Sequence, residues 1–239
     1  MKMKRTLILT LAMAVLLTAT AHAQFFGQFG PLGQSGPGGL SEFGVYTSFA
    51  SGTSIAATGM VRLGMGKKMD LGIQAGFCKT SNSGPTSFGA QLDSRIDFAH
   101  PIQGNDRFKL GADIAAGFSH TGATTVEVFG SSYTTESSNV FMVNGVPCVS
   151  ISAPAGSGSI SGWGGVGIEL DAASGNTATS GLIRIGGEFD FSKSMGVVAE
   201  WNHLTAGGGG DAFSVGVNFL KSNQYSGSRV KVTPPAKKK

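Results

Sequence analysis

Between Asp211 and Lys221 large apolar residues alternate with small or polar ones. Phe213, Val215, Val217 and Phe219 share one parity; Ala212, Ser214, Gly216 and Asn218 share the other. Successive strand side chains point to opposite faces, so the pattern predicts a strand with one apolar and one polar face. The same alternation recurs from Ser41 onward. On the apolar faces, segment 42–50 carries Phe43, Val45, Thr47 and Phe49, and segment 54–66 carries Ile55, Ala57, Val61, Leu63 and Met65. Segment 69–78 gives Met69, Leu71, Ile73, Ala75 and Phe77, and segment 87–98 gives Phe88, Ala90, Leu92, Ile96 and Phe98. Segment 107–119 gives Phe108, Leu110, Ala112, Ile114, Ala116 and Phe118. Segment 160–171 follows with Ile160, Val166, Ile168 and Leu170, then 180–191 with Ile183, Ile185, Phe189 and Phe191. Segment 195–203 adds Met195, Val197, Ala199 and Trp201.

The opposite faces hold Glu42, Asp70, Gln74, Gln91 and Asn202, with glycines between them. They also hold the charged set Arg62, Asp93, Arg95, Asp97, Lys109, Asp113, Glu169, Arg184, Glu188, Asp190 and Glu200. In a soluble sandwich these faces meet water and the apolar faces pack on each other. In a membrane barrel they line a lumen while the apolar faces meet lipid. Periodicity alone does not choose.

Length and phenylalanine placement favour the barrel. The segments run to about 9–13 residues, as tilted membrane strands do, against the 5–6 usual in soluble proteins. Phe88 and Phe98 bracket one segment, and Phe108 and Phe118 the next. Ten residues at ~3.3 Å each, tilted ~40°, cover roughly 25 Å along the axis, the height of an outer-membrane apolar band. Phe189, Phe191, Trp201, Phe213 and Phe219 complete the expected lipid-facing aromatic girdle.

Connections also alternate. GKKMD (66–70) and FSKSM (191–195) are tight. KTSNSGPTS, SHTGATTVEVFGSSYTTESSN, DAASGNTATS and HLTAGGGGD are longer and polar, whereas AHPIQGNDR (99–107) and SGTS (51–54) depart from the rule. An even strand count requires a further strand, expected near 139–151 although Pro147 and Asn144-Gly145 read as breakers. The expectation is an all-β, antiparallel up-and-down transmembrane β-barrel of about ten strands, with eight as the alternative.

The ends of the chain read differently. MKMKR precedes the apolar run 7–19, which is too short to span a bilayer, and Ala21-His22-Ala23 fits a cleavage site. Residues 1–23 are thus expected to be a signal peptide, with Gln24 as the new N-terminus. Residues 24–40, rich in Gly, Gln, Phe and Pro, form an irregular lead-in that either plugs the lumen or stays disordered. Residues 41–221 make the barrel, and 222–239 a basic periplasmic tail.

Charge follows this division. The overall balance is +4, but residues 24–220 hold 9 basic against 14 acidic residues, a net charge of −5. No basic patch supports nucleic-acid binding. Cys78 and Cys148 sit in an exported chain where a disulfide is permitted, yet two cysteines make no framework.

The pattern from Ser41 to Leu220 resembles the small outer-membrane β-barrels of Gram-negative bacteria, the porin-like and OmpA-type barrel domains. The final Val217-Asn218-Phe219-Leu220 looks like their assembly signal, although 19 residues follow Leu220. The resemblance implies outer-membrane localisation. It also implies contact with outer-membrane lipid and lipopolysaccharide, and insertion by the barrel assembly machinery. Oligomeric state is not readable.

The lumenal charges predict ion pairs that fill a narrow barrel, or else a narrow channel whose excess carboxylates favour cations. His203, Thr205 and Asp211 bear a faint likeness to the His-x-Ser and acid of lipid A deacylases, with Thr in place of Ser. Trp163 falls on the lumenal parity as a space-filler. No catalytic residue, metal ligand set or cofactor is expected. The expected role is structural or surface-interactive, with at most a narrow pore. A lipid-modifying enzyme and a soluble periplasmic β-protein rank below it.

Overall fold

A computed structural model describes residues 26–32, 39–50, 54–66, 68–80, 84–101, 107–128, 131–173, 176–192, 194–205 and 210–219. The expected signal peptide, Gln24 and the expected tail lie outside the described residues. The chain forms β1 (Gly39–Ala50), β2 (Ser54–Gly64), β3 (Met69–Thr80), β4 (Thr86–Ala99) and β5 (Phe108–Thr121). A small hairpin follows, β6 (Thr124–Val128) and β7 (Ser131–Thr135). Then come β8 (Ser138–Ala155), β9 (Gly158–Ala173), β10 (Asn176–Ser192), β11 (Met195–Leu204) and β12 (Asp211–Phe219).

All but β6 and β7 join one closed barrel, in the order β1-β12-β11-β10-β9-β8-β5-β4-β3-β2. Neighbours are antiparallel, and β1 closes on β12 from Phe43↔Phe219 to Ala50↔Ala212. The barrel thus has ten strands, and the eight-strand alternative is set aside. No helix among the described residues is long and apolar enough to cross a membrane.

One end of the barrel carries tight reversals such as that at Gly156, whose φ of 60° suits a two-residue hairpin turn. This is called the turn end. The other carries β6–β7 and is called the hairpin end.

Three local expectations change. The strand expected near 139–151 is β8, and it runs from Ser138 to Ala155 through both breakers. Pro147 pairs with Ala112 of β5, but the β8–β9 ladder passes from Gly145↔Ile168 to Cys148↔Gly165 with no partners at Val146 and Pro147. A residue without an N–H is tolerated where the ladder is already interrupted. Second, DAASGNTATS is mostly strand rather than loop: β9 and β10 pair up to Asn176↔Ala173. Third, the connection after β5 contains β6–β7, paired from Thr124↔Thr135 to Val128↔Ser131. β6 and β7 are rich in Thr, Val and Tyr, which suit strands; DAASGNTATS is not, and there the β9–β10 ladder continues beyond the apolar band without apolar side chains.

The polarity of the barrel is inverted relative to a protein dissolved in water. Val166, Ile168, Ile185, Leu92 and Phe77 lie exposed on the outer surface. Arg62, Arg95, Arg184, Asp70 and Asp113 are buried within. Contiguous apolar surface on this scale is not sustained in water and is matched to lipid. The sandwich alternative fails here, because the apolar faces never meet one another.

Candidate functional site: the filled lumen

The inward parity of each strand brings charge together without special loops. Asp93, Arg95 and Asp97 alternate along β4, so all three point inward and are buried. Arg62 of β2 binds Asp70 of β3 at 2.6 Å and Asp93 of β4 at 2.7 Å. Arg95 binds Asp70 at 2.9 Å and reaches Glu42 of β1 at 3.4 Å. Gln74 donates to Asp93 at 2.8 Å. This first network lies toward the turn end and ties β1 through β4 together across the barrel interior.

A second network centres on Glu200 of β11. Its Oε2 accepts from Trp163 Nε1 at 2.9 Å, and its Oε1 accepts from Asn202 Nδ2 at 3.1 Å. Arg184 of β10 lies 3.7 Å from Glu200, donates to Asn202 at 2.8 Å and pairs closely with Asp113 of β5. Trp163, expected as a space-filler, therefore also serves as a buried donor. Nearby, Tyr46 bonds Asn218, which donates to Glu188 at 2.8 Å.

Other predicted charges make further contacts. Asp97 meets His100 at 2.8 Å near the turn end, Asp190 accepts from Ser159 at 2.5 Å, and Glu169 accepts from Asn144 at 3.4 Å. Lys109 is half-buried. Together Glu42, Asp70, Asp93, Asp97, Asp113, Glu169, Asp171, Glu188, Asp190 and Glu200 bury ten carboxylates inside, against the buried Arg62, Arg95 and Arg184.

Residues 26–32 occupy the space between the networks. Residues 26–32 are buried throughout. Glu200 accepts the N–H of Gln28 and of Phe29, each at 3.0 Å. Gln74 bonds both the N–H and the carbonyl of Gly27, at 3.3 and 2.6 Å. Arg62, Asn218 and Lys109 donate to the carbonyls of Gln28, Phe29 and Leu32 at 3.2, 3.3 and 3.2 Å. Phe29 stacks on Tyr46 with ring centroids 3.9 Å apart and packs with Met60, Trp163 and Val198. Phe26 packs by Ala56 and Cys78, and Leu32 by Val146 and Cys148. Cys78 lies toward the hairpin end of β3 and Cys148 toward the turn end of β8, so the segment threads the lumen lengthwise. Both cysteines are free.

On the outside, the predicted aromatics fall into two tiers. Phe88, Phe118, Trp201 and Phe213 lie toward the hairpin end, and Phe98, Phe108, Phe189, Phe191 and Phe219 toward the turn end. Phe88, Phe98, Phe189, Phe191 and Phe213 are exposed, and Phe108, Phe118, Trp201 and Phe219 are half-buried. Phe141, exposed and 5.2 Å from Phe118 by ring centroids, belongs with them but was hidden by the breakers of its strand.

His203 and Asp211 meet at 3.0 Å, and Trp201 Nε1 also donates to Asp211 at 3.0 Å. Thr205 Oγ1 instead accepts from the Gly181 N–H at 3.0 Å, and no hydrogen bond joins it to His203 among the described residues. The base–nucleophile contact that ester hydrolysis needs is therefore not formed. Among the described residues, no group of three His, Cys, Asp or Glu is arranged to hold a metal ion.

Solved structures resemble this arrangement. The β domain of the Bordetella autotransporter BrkA matches with a TM-score of 0.52 at 8% identity, covering 77% of this chain and 99% of that one. This is the fold of an outer-membrane β-barrel. The N-terminal β-barrel domain of Pseudomonas aeruginosa OprF matches at 12% identity and a TM-score of 0.37, over 77% of this chain and 98% of that one. The porin NanC matches at 9% identity and a TM-score of 0.39, over 74% and 98%. No protein-family model matches the chain, and no curated protein does.

Sequence parity finds the buried charges named above except Asp171, but not the partner of any. It misses Tyr46 and Asn218, which look unremarkable on the small, polar face, and it leaves the place of residues 26–32 open. The lead-in has no period because its groups are matched by side chains from several strands. The one available signal was its phenylalanines, unusual in a stretch so rich in glycine.

Proposed function

We propose that this chain is an outer-membrane β-barrel protein with a structural or surface-interaction role and at most a narrow pore. The observation that carries the reading is the filled lumen: two buried charge networks with residues 26–32 between them. Small barrels whose interior is packed by side chains are closed rather than conducting. The exposed apolar belt with its aromatic tiers fits outer-membrane lipid and lipopolysaccharide. Insertion by the barrel assembly machinery follows from the β12 ending, and the porin-like and OmpA-type barrels are the proposed kin. This reading assigns no catalytic role to His203, Thr205 and Asp211.

The barrel is tested by fractionation and by electrophoresis in SDS with and without boiling. A folded barrel stays in the membrane fraction and shifts on heating. Sealing is tested in planar bilayers, where the expected result is no steady conductance. A second reading, a small cation-preferring channel, is favoured by the surplus of buried carboxylates over arginines. In that case steady cation-selective steps appear, and neutralising Asp93 or Glu188 reduces the selectivity.

A further inference from the structure

The contacts around residues 26–32 differ from those within the wall. Each wall strand pairs its backbone with a neighbour's, and the ladder closes without any contribution from this segment. The segment's own backbone is bonded by side chains: Gln74 of β3, Glu200 of β11, Arg62 of β2, Asn218 of β12 and Lys109 of β5. Each of these side chains is carried by a different strand of that closed ladder. At the centre one aromatic side chain, Phe29, fills a pocket of Tyr46, Met60, Trp163 and Val198. Gly27 and Gly30, which bound this stretch, lie close to charged side-chain tips. A Cβ added to Gly27 would lie 2.1 Å from Glu200 Oε1, and one added to Gly30 would lie 2.3 Å from Arg95 Nη1.

From these contacts we infer that the lumen is a preorganised peptide-binding cradle, and that residues 26–32 occupy it as a tethered, displaceable ligand. The recognised pattern is Gly27-Gln28-Phe29-Gly30: an aromatic residue in a stretch bounded by glycines, with the two consecutive N–H groups of Gln28 and Phe29 offered to one carboxylate. The inference deepens the sealed-barrel reading and rests on it, because the tethered segment is then what closes the lumen. Tethering supplies an effective concentration in the millimolar range, so the site stays filled even if the free peptide binds weakly.

Two native thiols report on occupancy. Cys78 is covered by Phe26 at one end of the segment, and Cys148 by Leu32 at the other; both are free and buried. The full chain is folded with a protease site inserted between Gln34 and Ser35, cut afterwards and washed, with cutting checked by mass. Labelling by a hydrophilic maleimide is then compared before and after cutting. The expected result is at least tenfold faster labelling at both cysteines after cutting. A synthetic peptide of sequence QFFGQFGPL restores slow labelling, and the same peptide with Phe29→Ala does not. Labelling that stays slow after complete cutting would overturn the inference, since the segment is then permanent core. Fast labelling that the peptide leaves unchanged would overturn it too. Cold SDS mobility verifies that the barrel is folded throughout. Conductance of the uncut protein tests sealing separately, so the two readings fail by different results.

Discussion

Glu200 accepts four hydrogen bonds in the lumen, two of them from the backbone of residues 26–32, and its replacement by Gln gives the sharpest test of the architecture. Oε1 accepts from Gln28 N–H and Asn202 Nδ2, and Oε2 from Phe29 N–H and Trp163 Nε1. In Glu200→Gln one of these oxygens becomes an amide NH2 of nearly the same shape. Whichever it is, two donors then face a donor and two hydrogen bonds are lost. A hydrogen bond to a charged acceptor contributes about 1.5–3 kcal/mol, so the gross loss is ~3–6 kcal/mol. Lumenal water recovers part of that, leaving a destabilisation of about 3 kcal/mol. Urea unfolding in lipid vesicles measures it, with Trp201→Phe as background so that only Trp163 fluoresces, and with the denaturant slope unchanged. Glu42→Gln serves as the comparison. Glu42 reaches Arg95 at 3.4 Å, and Arg95 keeps Asp70 at 2.9 Å, so the expected loss there is below about 1 kcal/mol. If Glu200→Gln also costs less than about 1 kcal/mol, the lumen is hydrated enough to replace every one of these bonds, and the packed-interior argument fails.

Three other outcomes follow from the same geometry. Arg62→Met leaves Asp93 without its 2.7 Å partner and should destabilise by about 3–5 kcal/mol, with Asp93→Asn in the same chain recovering part of the loss in a double-mutant cycle. On the outer surface, Leu92→Arg, about midway between Phe88 and Phe98 on β4, should cost about 2–4 kcal/mol in vesicle unfolding, whereas Phe98→Arg near the turn end should cost about 0–1, since the penalty for a charge falls toward the interface. Equal costs at the two sites would contradict the placement of the apolar band. Finally, Cys78 and Cys148 should both be alkylated after folding in air and denaturing in SDS, as read by mass; an intramolecular disulfide would refute their separation along the lumen.

The alternation of residues determined a good deal without help. It gave nine of the barrel strands, the inward parity along them and the two aromatic tiers, because the pleat fixes a two-residue period that each segment carries alone. Arg95 and Asp97 declare their face in the sequence as plainly as Phe98 declares the other. The tertiary structure decided what no local period holds. Closure of β1 on β12, and the register of each ladder, set which inward charge meets which. Arg184 thus finds Asp113 three strands away, across β9 and β8, rather than a neighbour in sequence. Pro147 and Gly145 read as breakers until the ladder around them supplied the missing context. The place of residues 26–32 was likewise decided only in three dimensions. Their backbone is matched to Glu200, Gln74, Arg62, Asn218 and Lys109, which are far apart along the chain and converge only once the barrel has closed around them.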